Sequence, residues 1–129
     1  MTAVYFVDTN ILLYAASKDA TQAAKAAVAS AVLQEFYVQA TRARPHALAH
    51  DQASALIRSW LRFPVQENTR ALLLRALDTA QRYQVSFWDA SIIEAARALG
   101  CQTFLTEDLN DGQDYGGVRV MNPFVHPME

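Results

Sequence analysis

The chain has 129 residues, a formal net charge of −2 at pH 7, 52% hydrophobic residues and 19% charged residues. This length suits one domain with one hydrophobic core, and this composition excludes an intrinsically disordered chain. The small net charge excludes a protein that binds nucleic acid through overall charge alone.

The first half of the chain begins with a predicted strand over residues 3–7, an apolar run of the kind found in buried strands. The Ala-rich stretch 19–31 fits either a continued helix or a short strand near 27–29. Phe63-Pro64-Val65 predicts a brief edge strand, where proline is tolerated. Three helices are predicted in this half, over residues 10–17, 32–41 and 48–61.

The second half of the chain predicts two helices followed by two strands. Asn68 is the expected N-cap of a helix that runs to Tyr83, and Ser86 is the expected N-cap of a helix that Gly100 ends. The first of these helices carries one apolar face, formed by Leu72, Leu73, Ala76, Leu77 and Ala80. The strands are predicted over residues 103–105 and 118–121, with a turn-rich loop between them.

Strands that alternate with helices predict an α/β fold in three layers, α/β/α, around a central, mainly parallel sheet. Residues 1–129 are expected to form a single domain. In such sheets, ligands bind beyond the carboxyl ends of the strands. The N-terminus lacks a basic region and no apolar stretch reaches membrane-spanning length, so we expect a cytoplasmic protein.

Four acids lie at the ends of, or inside, hydrophobic segments: Asp8, Glu35, Asp89 and Asp108. Asp8 and Asp108 each come just after a predicted strand, whereas Glu35 and Asp89 are expected in the first turns of helices. All four can therefore reach one edge of the sheet. Carboxylates that converge there would repel one another and raise one another's pKa values, and a divalent cation is the natural compensation.

Each acid taken alone has a simpler interpretation. Asp8 could be a helix N-cap, Asp89 could form a capping box with Ser86, Glu35 could be an ordinary helix-surface residue and Asp108 could open a turn. The metal site is favoured because all four acids fit one edge of the fold. Other side chains are expected to be structural, with core aromatics at Phe36, Tyr37, Phe87 and Trp88.

Four segments around these acids resemble the acidic motifs of the PIN domain, and the branch they look most like is the VapC-type toxins of bacterial toxin–antitoxin pairs. The segments are Val7-Asp8-Thr9-Asn10-Ile11-Leu12-Leu13-Tyr14, Val32-Leu33-Gln34-Glu35-Phe36-Tyr37, Val85-Ser86-Phe87-Trp88-Asp89-Ala90 and Leu105-Thr106-Glu107-Asp108-Leu109. The resemblance covers nearly the whole chain in the right order.

The resemblance implies a divalent-metal-dependent endoribonuclease that leaves a 5′-phosphate and a 3′-hydroxyl. Asp8 and Asp89 match the positions that hold Mg²⁺ or Mn²⁺ most directly, and Glu35 and Asp108 match the acids that complete the cluster. Polar neighbours that orient these acids are matched by Asn10, Ser86 and Thr106. The resemblance also implies a cognate antitoxin and a homodimer.

Two arginines, Arg42 and Arg44, end the helix that contains Glu35, and we expect them to contact RNA phosphates. The interval from Asp8 to Glu35 is shorter than the resemblance leads us to expect, which predicts a shortened second helix. Two alternative functions stay open: a PIN nuclease of RNA processing or DNA metabolism, and a degenerate PIN scaffold that binds RNA or protein without cleaving it.

Overall fold

The structure is a computed structural model that describes residues 5–9, 11 and 26–125. Its strands are β1 (Tyr5–Val7), β2 (Ala26–Ala29), β3 (Val65–Gln66), β4 (Thr103–Leu105) and β5 (Arg119–Met121). Its helices within those residues are α1 (Ser30–Thr41), α2 (His50–Trp60), α3 (Arg70–Tyr83) and α4 (Phe87–Ala98). The predicted helix over 10–17 and the predicted shortened second helix lie outside the described residues, Ile11 excepted.

The five strands form one sheet in the order β3-β2-β1-β4-β5, and every neighbouring pair is parallel. Phe6 in the central strand pairs with Ala27 on one side and with Phe104 on the other. The predicted three-layer α/β/α architecture is confirmed, and β3 is the edge strand expected around Pro64. Asp8 and Thr106 therefore leave adjacent parallel strands at the same edge of the sheet.

The core lies on the central strands and on the helix faces that cover them. Phe6 and Phe104 are buried and meet edge to face, with their ring centroids 5.9 Å apart. The ambiguous Ala-rich segment ends in a strand, because pairing with both β1 and β3 places Ala27 and Val28 in the buried centre of the sheet.

Helix caps set where α3 and α4 begin. The predicted cap Asn68 is wrong by one residue: the Thr69 hydroxyl accepts the hydrogen bond from Leu72 N at 3.1 Å. Thr69 is extended and so can aim its oxygen at the first turn. Ser86 caps α4 as predicted, and Gly100 follows that helix with a φ of 74° that favours glycine.

The predicted apolar face of α3 is only half correct. Leu72 and Ala76 are buried, but Leu73 and Leu77 are exposed, because α3 packs mainly on α4 along one narrow stripe. The prediction of core aromatics at the start of α4 is also wrong, since Phe87 and Trp88 remain 44% and 43% exposed there. Among the helices in the described ranges, none is long and apolar enough to cross a membrane.

Candidate active site

Asp8 lies at the carboxyl end of the central strand, where its backbone N–H donates to Leu105 O of β4 at 3.2 Å. One carboxylate oxygen, Oδ1, accepts from Thr9 N at 2.6 Å. The other, Oδ2, accepts from the Thr106 hydroxyl at 2.7 Å. The side chain is thus held in one orientation at the edge of the sheet, with a lone pair left on each oxygen.

Burial raises the pKa of Asp8 from 3.8 to about 6, because an ionised carboxylate loses hydration there. The hydrogen bonds from Thr106 and Thr9 act in the opposite direction, and they do not offset the loss of hydration. Asp108 raises the pKa of Asp8 further, through a hydrogen bond between the two side chains and through its charge. Asp8 therefore carries a negative charge that the described part of the protein leaves poorly compensated.

Thr106 connects the two acids that meet at this edge. While its hydroxyl donates to Asp8, the same oxygen accepts from Asp108 N at 3.1 Å. Its own backbone N–H donates to Met121 O of β5 at 3.2 Å, so the residue is anchored in the sheet. Thr106 thereby sets the placement of Asp8 and Asp108 relative to each other.

Asp89 lies in the first turn of α4, where its backbone N–H donates to the hydroxyl of Ser86 at 3.0 Å. Its carboxylate is half-buried, and it lies within electrostatic reach of the buried phenol of Tyr115. Burial raises the pKa of Tyr115, and the charge of Asp89 raises it further. Asp89 thus faces the loop that follows Asp108 in the chain.

Glu35 is half-buried in α1. Its predicted position in the first turn of that helix is wrong, since α1 begins at Ser30 and its first turn contains no acid. The helix starts earlier because β2 ends at Ala29 and the chain turns directly into α1. Glu35 consequently lies two residues, or about half a turn, farther from the start of its helix than the sequence indicated.

The remaining predicted site residues lie beyond the C-terminal end of α1 or outside the described residues. Arg42 and Arg44 are exposed beyond the C-terminal end of α1, and Arg44 donates to Gln39 O at 2.8 Å. Arg42 is seven positions after Glu35 in the chain, which is about 10 Å along the helix axis. Asn10 is not among the described residues.

The described residues contain no group of three or more His, Cys, Asp and Glu side chains close enough to hold a metal ion. The pair formed by Asp8 and Asp108 nevertheless fits a hard divalent cation. Mg²⁺ keeps several waters and is commonly bound through one or two carboxylates together with substrate phosphates. The buried Thr9 hydroxyl also lacks a hydrogen-bond partner within the described ranges. Oxygen donors and uncompensated negative charge therefore coincide at this edge.

We expect Thr106→Val to destabilise the protein by about 1–3 kcal/mol, because it leaves Asp108 N without its acceptor and Asp8 Oδ2 without its donor. The pKa of Asp8 should also rise above its value of about 6, since the lost hydrogen bond lowers it. Urea unfolding at several pH values would measure both effects. Thr106→Ser keeps the hydroxyl and is the matched control; equal losses in the two variants would contradict the role given to the hydroxyl.

The sequence model of the PIN domain matches residues 5–110, from the central strand to just beyond Asp108. The chain belongs to the PIN domain family. This PIN domain contains all four predicted acids within the matched range. Among curated protein sequences, none matches it.

Solved structures similar to this PIN domain include a toxin–antitoxin complex from Klebsiella pneumoniae, at 21% identity and a TM-score of 0.67, covering 92% of this chain and 97% of that one. VapBC2 from Rickettsia felis, bound to a DNA fragment from its promoter, has 17% identity and a TM-score of 0.66. The match covers 92% of this chain and 98% of that one. The Sarcin-Ricin loop cleaving toxin VapC20 from Mycobacterium tuberculosis has 22% identity and a TM-score of 0.56. The match covers 78% of this chain and 86% of that one. At these identities the similarity establishes the shared fold.

Three residues near these acids were missed by sequence reasoning: Glu94, Arg97 and Tyr115. Glu94 is charged yet only 3% exposed, and it pairs with Arg97, whose guanidinium contacts the backbone of Tyr115. The detectable signal was a lone acid inside the apolar run Ile92-Ile93-Glu94-Ala95-Ala96, with an arginine three residues later.

Proposed function

We propose that this PIN domain is a divalent-metal-dependent endoribonuclease and the toxin of a toxin–antitoxin pair. The observation that carries the proposal is Asp8, a half-buried carboxylate fixed by two hydrogen bonds beside a second acid, Asp108, at the carboxyl edge of a parallel sheet. Membership of the PIN family supports nuclease chemistry at that edge.

Asp8 and Asp89 would hold Mg²⁺ or Mn²⁺ most directly, with Asp108 and Glu35 completing the set of oxygen ligands. When bound, such a cation supplies Lewis acidity toward the phosphate and lowers the pKa of a coordinated water. Thr106 fixes the orientation of the Asp8 carboxylate, and Ser86 fixes the helix turn that carries Asp89. Asn10 would orient the same acids.

The proposed substrate is single-stranded or loop RNA, cut to leave a 5′-phosphate and a 3′-hydroxyl. An exposed backbone suits a site at the open edge of a sheet. Arg42 and Arg44 would bind phosphates about 10 Å along α1 from Glu35, which is more than one nucleotide away from the cut. The toxin VapC20 from M. tuberculosis, which shares this fold, cleaves the Sarcin-Ricin loop, and this supports a loop as the substrate.

The proposed partners are a cognate antitoxin and a second copy of this chain. Two of the similar structures, those from Klebsiella pneumoniae and Rickettsia felis, are toxin–antitoxin or VapBC complexes, which supports an antitoxin partner. It would cover the acids, with an Arg or Lys among them. Exposed apolar side chains on α3 and α4 support a homodimer, since a surface of this kind marks protein contacts. These side chains are Leu73, Leu74, Leu77, Phe87 and Trp88. The proposed setting is the cytoplasm.

Cleavage of a mixed RNA substrate, measured with Mg²⁺, with Mn²⁺ and with EDTA, tests the function. We expect the wild type to cut only with a cation and Asp89→Asn to lose that activity while its circular dichroism spectrum is retained. Equal cleavage in EDTA would refute the metal requirement. Cation-dependent cutting of DNA but not RNA would favour the role in DNA metabolism, and absence of both cutting and metal binding would favour the degenerate scaffold.

A further inference from the structure

Glu94 is a buried acid on the same helix as Asp89, one and a half turns farther along α4. Its Oε2 accepts from the hydroxyl of Thr79 on α3 at 2.7 Å. Its two oxygens also accept from Arg97, Oε1 from Nε at 3.0 Å and Oε2 from Nη2 at 3.2 Å. A carboxylate that is 3% exposed is costly unless it is paired in this way, so Arg97 is held in a single orientation.

The rest of the Arg97 guanidinium binds the connection between β4 and β5, residues 106–118, which we call the β4–β5 loop. Nη1 donates to Gly116 O at 2.5 Å, and Nη2 donates to Tyr115 O at 2.6 Å. Gly116 has a φ of 67°, and a Cβ there would lie 3.2 Å from the Tyr83 hydroxyl and 3.5 Å from Nη1. Glycine therefore allows the loop backbone to approach the guanidinium this closely.

Hydrogen bonds within the β4–β5 loop and to β5 hold its backbone in place, so the contacts of Arg97 at Tyr115 and Gly116 also restrain the part of the loop that carries Asp108. Gly112 N donates to Val120 O, and Tyr115 N donates to Val118 O, each at 2.8 Å. The ring of Tyr115 is buried against Tyr83, with ring centroids 5.1 Å apart, and its phenol lies within electrostatic reach of Asp89. The loop begins at Thr106, contains Asp108 and ends at β5.

We propose that Glu94 and Arg97 are positioning residues of the active site, because their ion pair fastens the loop that carries Asp108 to the helix that carries Asp89. This inference rests on the proposed function, in which both acids contribute to one metal site. Neither Glu94 nor Arg97 is a catalytic residue, since they act through the backbone of Tyr115 and Gly116. The sheet fixes Asp8 against Asp108 through Thr106, and the ion pair fixes Asp108 against Asp89.

A purely structural ion pair would have the same contacts, so the test needs measurements that lost stability alone does not change. The first is the Kd for Mn²⁺, measured by calorimetry. The second is the set of backbone amide NMR shifts of residues 106–109 in the protein without metal.

Two variants break the link without leaving a buried charge unpaired. Arg97→Lys keeps the charge but cannot contact Glu94 and both carbonyls at once. The double variant Glu94→Gln with Arg97→Met removes both charges together. Ile93→Val is the control, because it removes one buried methyl group from the same helix.

We expect both variants to weaken Mn²⁺ binding by about tenfold or more and to shift the amides of residues 106–109. Ile93→Val should lower the Tm while leaving the Kd and these shifts close to those of the wild type. Wild-type values of the Kd and of the shifts in Arg97→Lys or in the double variant would overturn the proposal. If the wild type itself binds no Mn²⁺, the proposed function fails; the amide shifts then decide by themselves whether the ion pair positions the Asp108 loop.

Discussion

Asp8→Asn is expected to lower the Mn²⁺-dependent rate of RNA cleavage by about a thousand-fold, because the metal's contribution of several kcal/mol to the transition state depends on this carboxylate. The amide keeps an oxygen that can accept from Thr9 N, so the fold should persist. Initial rates on a defined single-stranded RNA at saturating Mn²⁺ would measure the loss, with circular dichroism as the check on folding.

Asp51→Asn is the matched control, since Asp51 is an exposed acid in the first turn of α2 and the variant makes the same change of charge. Its rate should stay within about twofold of the wild type. Full activity in Asp8→Asn would remove Asp8 from the site. A large loss in Asp51→Asn as well would instead indicate that overall charge governs RNA binding.

Without metal, the free energy of unfolding is expected to fall as the pH rises, because of Asp8. The folded protein holds the proton of Asp8 more tightly than the unfolded chain does, with a pKa of about 6 against 3.8. Stability from this group is therefore fully present below pH 3.8 and is lost as the pH rises toward and past 6. The loss is at most about 3 kcal/mol, an upper value because part of the carboxylate still contacts water.

Urea unfolding in EDTA between pH 4 and pH 7.5 would measure this loss as the difference between the wild type and Asp8→Asn, which lacks the titrating carboxyl group. The free energy of unfolding of Asp8→Asn should depend less on pH than that of the wild type. The variant should therefore gain stability relative to the wild type as the pH rises. A difference that stays constant across this range would contradict the raised pKa. Mn²⁺ at a hundred times its Kd should restore about 2.7 kcal/mol to the wild type at pH 7.

Some of the fold could be predicted because it depends on local pattern. The apolar runs before Asp8 and Asp108 predicted two buried strands, and the structure makes them neighbours, β1 and β4. Ser86 was recognisable as a cap from its position before an apolar helix. The cap at Asn68 was misplaced because Asn68 and Thr69 are both good capping residues, and backbone geometry chooses between them.

Burial was less predictable, because a helix pattern does not specify how many neighbours the helix will have. Leu73 and Leu77 have the spacing of a core face, yet α3 packs mainly on α4 and leaves them exposed. Phe87 and Trp88, in the first turn of α4, are also large apolar side chains that remain exposed.

The sequence by itself determined the order of most strands and helices, and it placed Asp8 and Asp108 where strands end. Only the tertiary structure decided which of those acids meet, because their contacts join residues far apart in the chain, such as Thr106 with Asp8. It also decided that Glu94 is buried and tied through Arg97 to a loop some twenty residues away, a contact that local periodicity does not specify.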